Sequence, residues 1–187
     1  MITVYTGQGK GKTTSALGAA LLAYSEGKRV LMVQFLKGST YSGELMALNR
    51  LGIPLIQFGV GCRWSGMIRT GMKHCTGCGE CFRQNRNPEI ALELVQQAID
   101  FVSGEIGTNT YQVIILDEIS HALNRGFLDL NHLRKLLSTE SSRHLHWILT
   151  GRGMPAALEL LADNWWDLNM LKHPFSKGVK SRRGIEY

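Results

Sequence analysis

A short run near the start of the chain, TGQGKGKTT from Thr6 to Thr14, holds residues whose types and spacing suit phosphate chemistry. Glycines at 7, 9 and 11 let the backbone take positive φ and come close to an anion. Consecutive N–H groups leading into a helix N-terminus then converge on phosphate oxygens. Lys12 is placed to reach one of those oxygens, and Thr13 to set its hydroxyl on Mg²⁺. The run departs from the usual G-x-x-x-x-G-K-[ST] pattern. Thr6 holds the place of the first glycine, Gly7 stands one place late, and Lys10 adds a second lysine inside the loop. The expected nucleotide contacts are Gly7, Gln8, Gly9, Lys10, Gly11, Lys12, Thr13 and Thr14.

A phosphate loop of this kind works with an acidic residue at the end of an apolar strand. Asp117-Glu118, directly after VIIL, supplies it. One carboxylate is expected to bind Mg²⁺ directly or through water, and the other to orient a ligand. The expected magnesium set is therefore Thr13, Asp117 and Glu118.

A second cluster lies in the middle of the chain. Cys75, Cys78 and Cys81 in KHCTGCGECFRQ form a C-x₂-C-x₂-C arrangement, with Cys62 upstream. Three thiols at this spacing, separated by glycines, can converge on one metal, and both tetrathiolate zinc and an iron–sulfur cluster fit. His74 competes with Cys62 for the fourth position. The plain alternative is a set of reduced, unligated thiols on a loop. The histidines at 121, 132, 144 and 146 fall in segments where packing accounts for them; His173 lies in the basic tail, where a phosphate or ligand contact is conceivable.

These groups need elements to position them. ITVYT (2–6) reads as a strand running into the glycine loop, and 13–27 as a helix closed by Gly27. RVLMVQF (29–35) is a near-continuous apolar run of the buried parallel type. A helical stretch at 43–51 and a strand at 53–59 follow. Residues 59–87 read as a long functional loop, and Pro88 opens a helix, PEIALELVQQAIDFV. YQVIILDE (111–118) and HLHWILTG (144–151) are strands, MPAALELLA (154–162) a helix, and WDLNML (166–171) a last strand. Strands alternating with helices imply an α/β three-layer fold of the P-loop NTPase-like kind, a mostly parallel sheet with helices on both faces. One domain over 1–187 is expected, with the Cys-rich loop inserted at about 59–87.

Composition narrows the function classes. The 187 residues are 44% hydrophobic and 19% charged, as in a soluble globular chain. No apolar run reaches membrane length and the N-terminus is strand-like, so a cytoplasmic protein without a membrane partner is expected. In that compartment a structural disulfide is not expected. The net charge of +6 suits either nucleic acid or an anionic small molecule. Much of the excess sits in the tail at Lys172, Lys177, Lys180, Arg182 and Arg183, with no nucleic-acid motif, which favours a polyphosphate.

Several blocks in order resemble the P-loop type of ATP:corrinoid adenosyltransferase: TGQGKGKTT, GKRVLMVQFLKG (27–38), VIILDEI (113–119), ILTGRG (148–153) and KHPFSKGVKSRRGIEY (172–187). The loop with its displaced glycine and extra lysine is similar to that family's own variant. The resemblance implies attack of a Co(I) corrinoid on the 5′-carbon of ATP, formation of a cobalt–carbon bond and release of triphosphate. It implies catalytic roles for Lys12, Thr13 and Glu118, with Lys10 adding charge for the leaving group. Co(I) is already a strong nucleophile, so catalysis reduces to positioning and leaving-group stabilisation. In GCRWSG (61–66), Trp64 matches a family tryptophan that faces the corrinoid, while Cys62 stands where the family carries phenylalanine. The family also suggests a homodimer, with a reductant protein as a further partner. Its members often carry a basic N-terminal segment over the corrinoid; this sequence starts at its first strand, so such a cover is expected from elsewhere or not at all.

Two other functions are weighed against this one. A nucleoside kinase of the thymidine kinase type also joins a phosphate loop to a four-cysteine zinc site, but its cysteines form two separated pairs and it lacks the TGRG and GIEY blocks. A non-catalytic, metal-sensing ATP-binding regulator would bind ATP without turning over a corrinoid.

Overall fold

The computed structural model of the chain describes residues 1–38, 43–76 and 78–172, the side chains of Arg69, Cys81 and Phe82 excepted. Six strands form one sheet in the order β3-β2-β4-β5-β1-β6, and every pairing is parallel. The strands are β1 (Ile2–Thr6), β2 (Val30–Phe35), β3 (Leu55–Phe58), β4 (Val113–Asp117), β5 (His146–Thr150) and β6 (Asn164–Asp167). Because all run the same way, their carboxyl ends share one edge, and the loops that leave that edge can meet at a single site.

Side-chain alternation sorts each central strand between two cores. Val113 and Ile115 of β4 face one side with Val30 and Met32 of β2 and Ile148 of β5. Helix α1 (Lys12–Ser25) packs there through Ala16 and Ala20, small residues that bring it close to the strands. On the opposite face Ile114, Leu116, Leu31, Val33, Trp147 and Leu149 meet helix α5 (Pro88–Thr108) through Val95, Ala98, Ile99, Val102 and Ile106. That apolar spacing is one face of a helix. Asn87 caps α5 by accepting the N–H groups of Glu89 and Ile90, and Pro88 sits where its missing N–H costs nothing.

The remaining helices are α2 (Gly43–Leu51), α3 (Ser65–Arg69), α4 (Glu80–Gln84), α6 (Ile119–Asn124) and α7 (Leu130–Ser138). Two expectations are corrected here. The segment at 154–162 is a 3₁₀ helix over Ala156–Leu161, entered from Pro155 in extended backbone, with Leu158 its buried anchor. The last strand starts two residues earlier and ends four residues earlier than expected, because pairing with β1 sets its register at Thr3↔Asn164 to Thr6↔Asp167. The expected loop at 59–87 contains α3 and α4, both too short to show a clear helical period, while α6 and α7 are additional elements. The tail block from His173 onward lies outside the described residues.

The loop carrying α3 and α4 has a firm base. Asn85, 7% exposed, accepts the Val60 N–H at 2.6 Å and donates to the Val60 carbonyl at 2.8 Å, joining the two ends of the loop. Gly59 packs against the turn after β2 so closely that a Cβ there would stand 2.3 Å from the Lys37 nitrogen. Asn85→Ala leaves both Val60 groups without this partner. It is expected to cost about 1–3 kcal/mol of stability in urea unfolding, together with faster protease cleavage between residues 60 and 85. An unchanged unfolding midpoint with an unchanged cleavage pattern would refute this role.

Candidate active site

The displaced glycine of the phosphate loop has a structural reason. Thr6, at the position of the usual first glycine, is still the last residue of β1; its carbonyl accepts the Leu168 N–H and its hydroxyl accepts the Met154 N–H at 3.1 Å. The chain turns only at Gly7, which has φ +101°. A Cβ on Gly7 would lie 2.3 Å from the Asp167 carboxylate, and one on Gly9 would lie 2.6 Å from the Leu168 carbonyl. The Gly9 N–H donates to that carbonyl at 2.7 Å. The end of β6 thus forms a wall behind the loop. Gly11, again at positive φ (+103°), opens α1.

Lys12 is buried, its ammonium donating to the carbonyls of Gly7 at 2.8 Å and Gly9 at 2.6 Å. Burial and the nearby Arg152 guanidinium lower its pKa below the usual lysine value, against the opposing pull of Glu118 and Asp117. The ammonium is therefore held inside the loop where burial strips its hydration, beside the Arg152 cation, which suits a site for a polyanion. Gln8, Lys10 and Thr14 are exposed on the same turn.

Asp117 is fully buried, and donors surround its carboxylate. One oxygen accepts the hydroxyls of Thr13 at 2.8 Å and Thr150 at 2.6 Å; the other accepts the Gln34 amide at 2.9 Å and lies 3.7 Å from the Lys37 ammonium. Gln34 also donates to Glu44, which pairs with Lys37, and Gln57 donates to the Gln34 side-chain oxygen. Burial works against Lys37's charge, but Asp117 and Glu44 outweigh it and raise its pKa. Glu44 is likewise opposed by burial and held below the usual glutamate range by Lys37. Gln34, Lys37, Glu44, Thr150 and Arg152 were not among the expected site residues. The visible signal was a glutamine within the apolar run VLMVQF, since a buried polar side chain in a strand must have partners.

Glu118 is set apart from its neighbour. Its backbone lies in the left-handed region (φ 61°, ψ 23°), held by an N–H bond to the Thr150 hydroxyl at 3.1 Å. Its Oε2 is buried without a hydrogen bond, 3.4 Å from the His121 ring. Burial, and then the Asp117 charge, raise its pKa above the ordinary carboxylate value. An unusual backbone and an unsatisfied oxygen at a strand's carboxyl end mark a side chain poised for something other than folding.

Trp64 stands on the neighbouring loop after β3, 38% exposed, with the Lys73 ammonium 4.1 Å and the Arg63 guanidinium 5.3 Å from its ring centre. This is an exposed aromatic face held by cations rather than core filling. Cys62 is half-buried, while Cys75 and Cys78 are exposed. Among the described residues no group of three His, Cys, Asp or Glu side chains is arranged to hold an ion. The Cys81 side chain lies outside them.

The raised Glu118 pKa means that folding favours its protonated form. The associated penalty on the charged form is absent well below the ordinary glutamate pKa and grows as pH rises through the raised folded value. Glu118→Gln is therefore expected to stabilise the protein by roughly 1 kcal/mol at neutral pH, with the gain fading on acidification through that window. Urea unfolding at a series of pH values tests this, and a gain independent of pH would overturn it.

Comparison with known proteins agrees with this arrangement. The family model described as ATP:corrinoid adenosyltransferase BtuR/CobO/CobP matches residues 1–187. The corrinoid adenosyltransferase of Escherichia coli (strain K12) is 30% identical over 187 residues, covering 100% of this chain and 85% of that protein. The corrinoid adenosyltransferase CobA of Salmonella typhimurium is 31% identical over 189 residues, with 100% and 85% covered. A corrinoid adenosyltransferase from Sinorhizobium sp is 28% identical over 190 residues, covering 100% and 80%. With the match running from the first strand through the phosphate loop and the acidic strand end to the last residue, the chain belongs to the ATP:corrinoid adenosyltransferase family.

Proposed function

We propose that the protein transfers the 5′-deoxyadenosyl group of ATP to the Co(I) centre of a corrinoid, releasing triphosphate, in the formation of adenosylcobalamin. The observation that carries this reading is the full-length family match over a chain whose phosphate loop, acidic strand end and aromatic loop all leave one sheet edge. The same match argues against a nucleoside kinase or a non-catalytic regulator.

In this reading the backbone N–H groups of Gly7 to Thr14 cradle the triphosphate, and the Lys12 ammonium neutralises charge on it. Lys10 lies on the solvent side of the same turn and adds to that field. The cobalt electron pair forms the Co–C5′ bond while the C5′–O bond breaks, its electrons leaving with triphosphate. No proton has to move in that step. The residues that matter are those that place the 5′-carbon and stabilise the departing anion. Thr13, Asp117 and the unsatisfied Glu118 Oε2 offer an all-oxygen set of the type magnesium takes, so the residues present fit that ion. When bound, Mg²⁺ supplies further charge neutralisation on the polyphosphate. Gln34, Lys37 and Thr150 fix the Asp117 carboxylate, and Thr150 also holds the Glu118 backbone. Trp64 offers its exposed face to the corrinoid.

A cytoplasmic homodimer, with a reductant protein as a partner that reduces the corrinoid cobalt to Co(I), belongs to the same reading. It is supported by the family resemblance and by the finding that no helix among the described residues is long and apolar enough to cross a membrane.

The test is an anaerobic assay with ATP and a Co(I) corrinoid, following adenosylcorrinoid absorbance and the phosphate product. Triphosphate is expected in step with the adenosylcorrinoid; steady release of ADP, indifferent to the corrinoid, would contradict the reading. Lys12→Ala is expected to lower the rate about 10²-fold or more, as loss of a preorganised charge-stabilising donor does. Near-native turnover by that variant would remove Lys12 from the machinery.

A further inference from the structure

The proposed reaction leaves the four cysteines unexplained. All lie in the loop whose ends are tied by Asn85 and Val60, with Cys62 two residues inside one end and Cys81 four inside the other. The stem is rigid, since a Cβ on Gly38 would meet the Gly61 nitrogen at 2.2 Å. Both ends of the cysteine-bearing segment are therefore held in one place before any ion arrives.

Two local features suit thiolate ligands. The Cys62 carbonyl accepts the Ser65 N–H at 2.9 Å, and its sulfur accepts the Trp64 N–H at 3.4 Å. A backbone N–H aimed at a cysteine sulfur two residues earlier stabilises negative charge on that sulfur, as in metal–thiolate sites. In Cys75-Thr76-Gly77-Cys78-Gly79, the glycine after the second cysteine has φ +74°. Positive φ there is backbone that glycine takes without strain, immediately after the second cysteine. The Gly79 carbonyl then accepts the Arg83 N–H at 3.0 Å as α4 begins, and α4 carries Cys81.

Charge agrees with this arrangement. Between residues 59 and 87 there are five basic side chains (Arg63, Arg69, Lys73, Arg83, Arg86) and one carboxylate (Glu80), a net of five minus one, or +4. A zinc ion with four thiolates carries a net charge of about −2. Such a centre would be matched by the positive balance of its own loop, whose Arg63 and Lys73 flank Trp64.

We propose that Cys62, Cys75, Cys78 and Cys81 form a four-thiolate site for a thiophilic metal, either a single Zn²⁺ or an iron–sulfur cluster, in the loop that carries Trp64. Because no three described side chains already converge, the ion draws the thiols together and orders the loop as it binds. The site does not depend on adenosyl transfer, and its presence or absence can be read without that reaction.

The experiment is metal analysis, visible absorbance and native thiol titration of the full chain purified anaerobically. Zinc at about one per chain without visible absorbance supports the zinc form; iron and sulfide with a broad visible band support the cluster form. In either case the thiols titrate slowly until the protein is denatured or treated with a chelator. Cys78→Ser and Cys62→Ser are expected to lose the metal while still binding ATP, and His74→Ala to keep it. Metal-free wild-type protein with four freely titrating thiols overturns the proposal, whatever the variants do. Metal retained by Cys62→Ser but lost from His74→Ala overturns the assignment of Cys62.

Discussion

The buried carboxylate of Asp117 is the constraint around which the site is built. A fully buried charge survives only where hydrogen bonds and opposite charge replace its hydration, and here four elements supply them. Thr13 comes from α1, Gln34 from β2, Thr150 from β5, and Lys37 from the turn after β2. Each partner ties one element to the carboxyl end of β4. The phosphate loop and its neighbours therefore hold their relative positions through one side chain at the centre of the sheet.

This arrangement also separates the roles of two adjacent acids. Asp117 is surrounded by donors and acts as a structural anchor that fixes Thr13. Glu118, one residue on, leaves the strand in a left-handed conformation with an oxygen unsatisfied. Both acids belong to the proposed magnesium set with Thr13, yet their surroundings are unlike. The environments differ because the first side chain points into the layer between β2 and β5, while the second lies beyond the end of the strand, where the sheet no longer supplies donors.

The layered fold was legible because its signals are local. Apolar runs such as VIIL and VLMV, short and flanked by polar residues or glycine turns, read as buried strands, and the run from Pro88 has a clean helical face. The glycine turn between β1 and α1 was legible for the same reason, as its glycines and Lys12 fall within a few residues. Less visible were features that depend on distant partners. The register of β6 is set by β1 rather than by its own sequence, so the strand fell earlier than WDLNML suggested. Lys37 and Glu44 become a pair only once the turn after β2 brings them to Asp117, and Thr150 looks like an ordinary strand residue until Asp117 lies beside it. Helices α6 and α7 are short, and α6 starts from the strained Glu118 without a side-chain cap.

The wall behind the phosphate loop has a bearing on how the protein is made. Gly7 and Gly9 sit near the start of the chain, yet the groups they pack against, Asp167 and Leu168, come from the far strand β6 and the residue after it. Contacts of such sequence separation close late, because the loop-closure entropy must be overcome first. A chain emerging from the ribosome presents its glycine loop well before the strand that backs it. The backed form of the loop therefore arrives only with completion of the sheet.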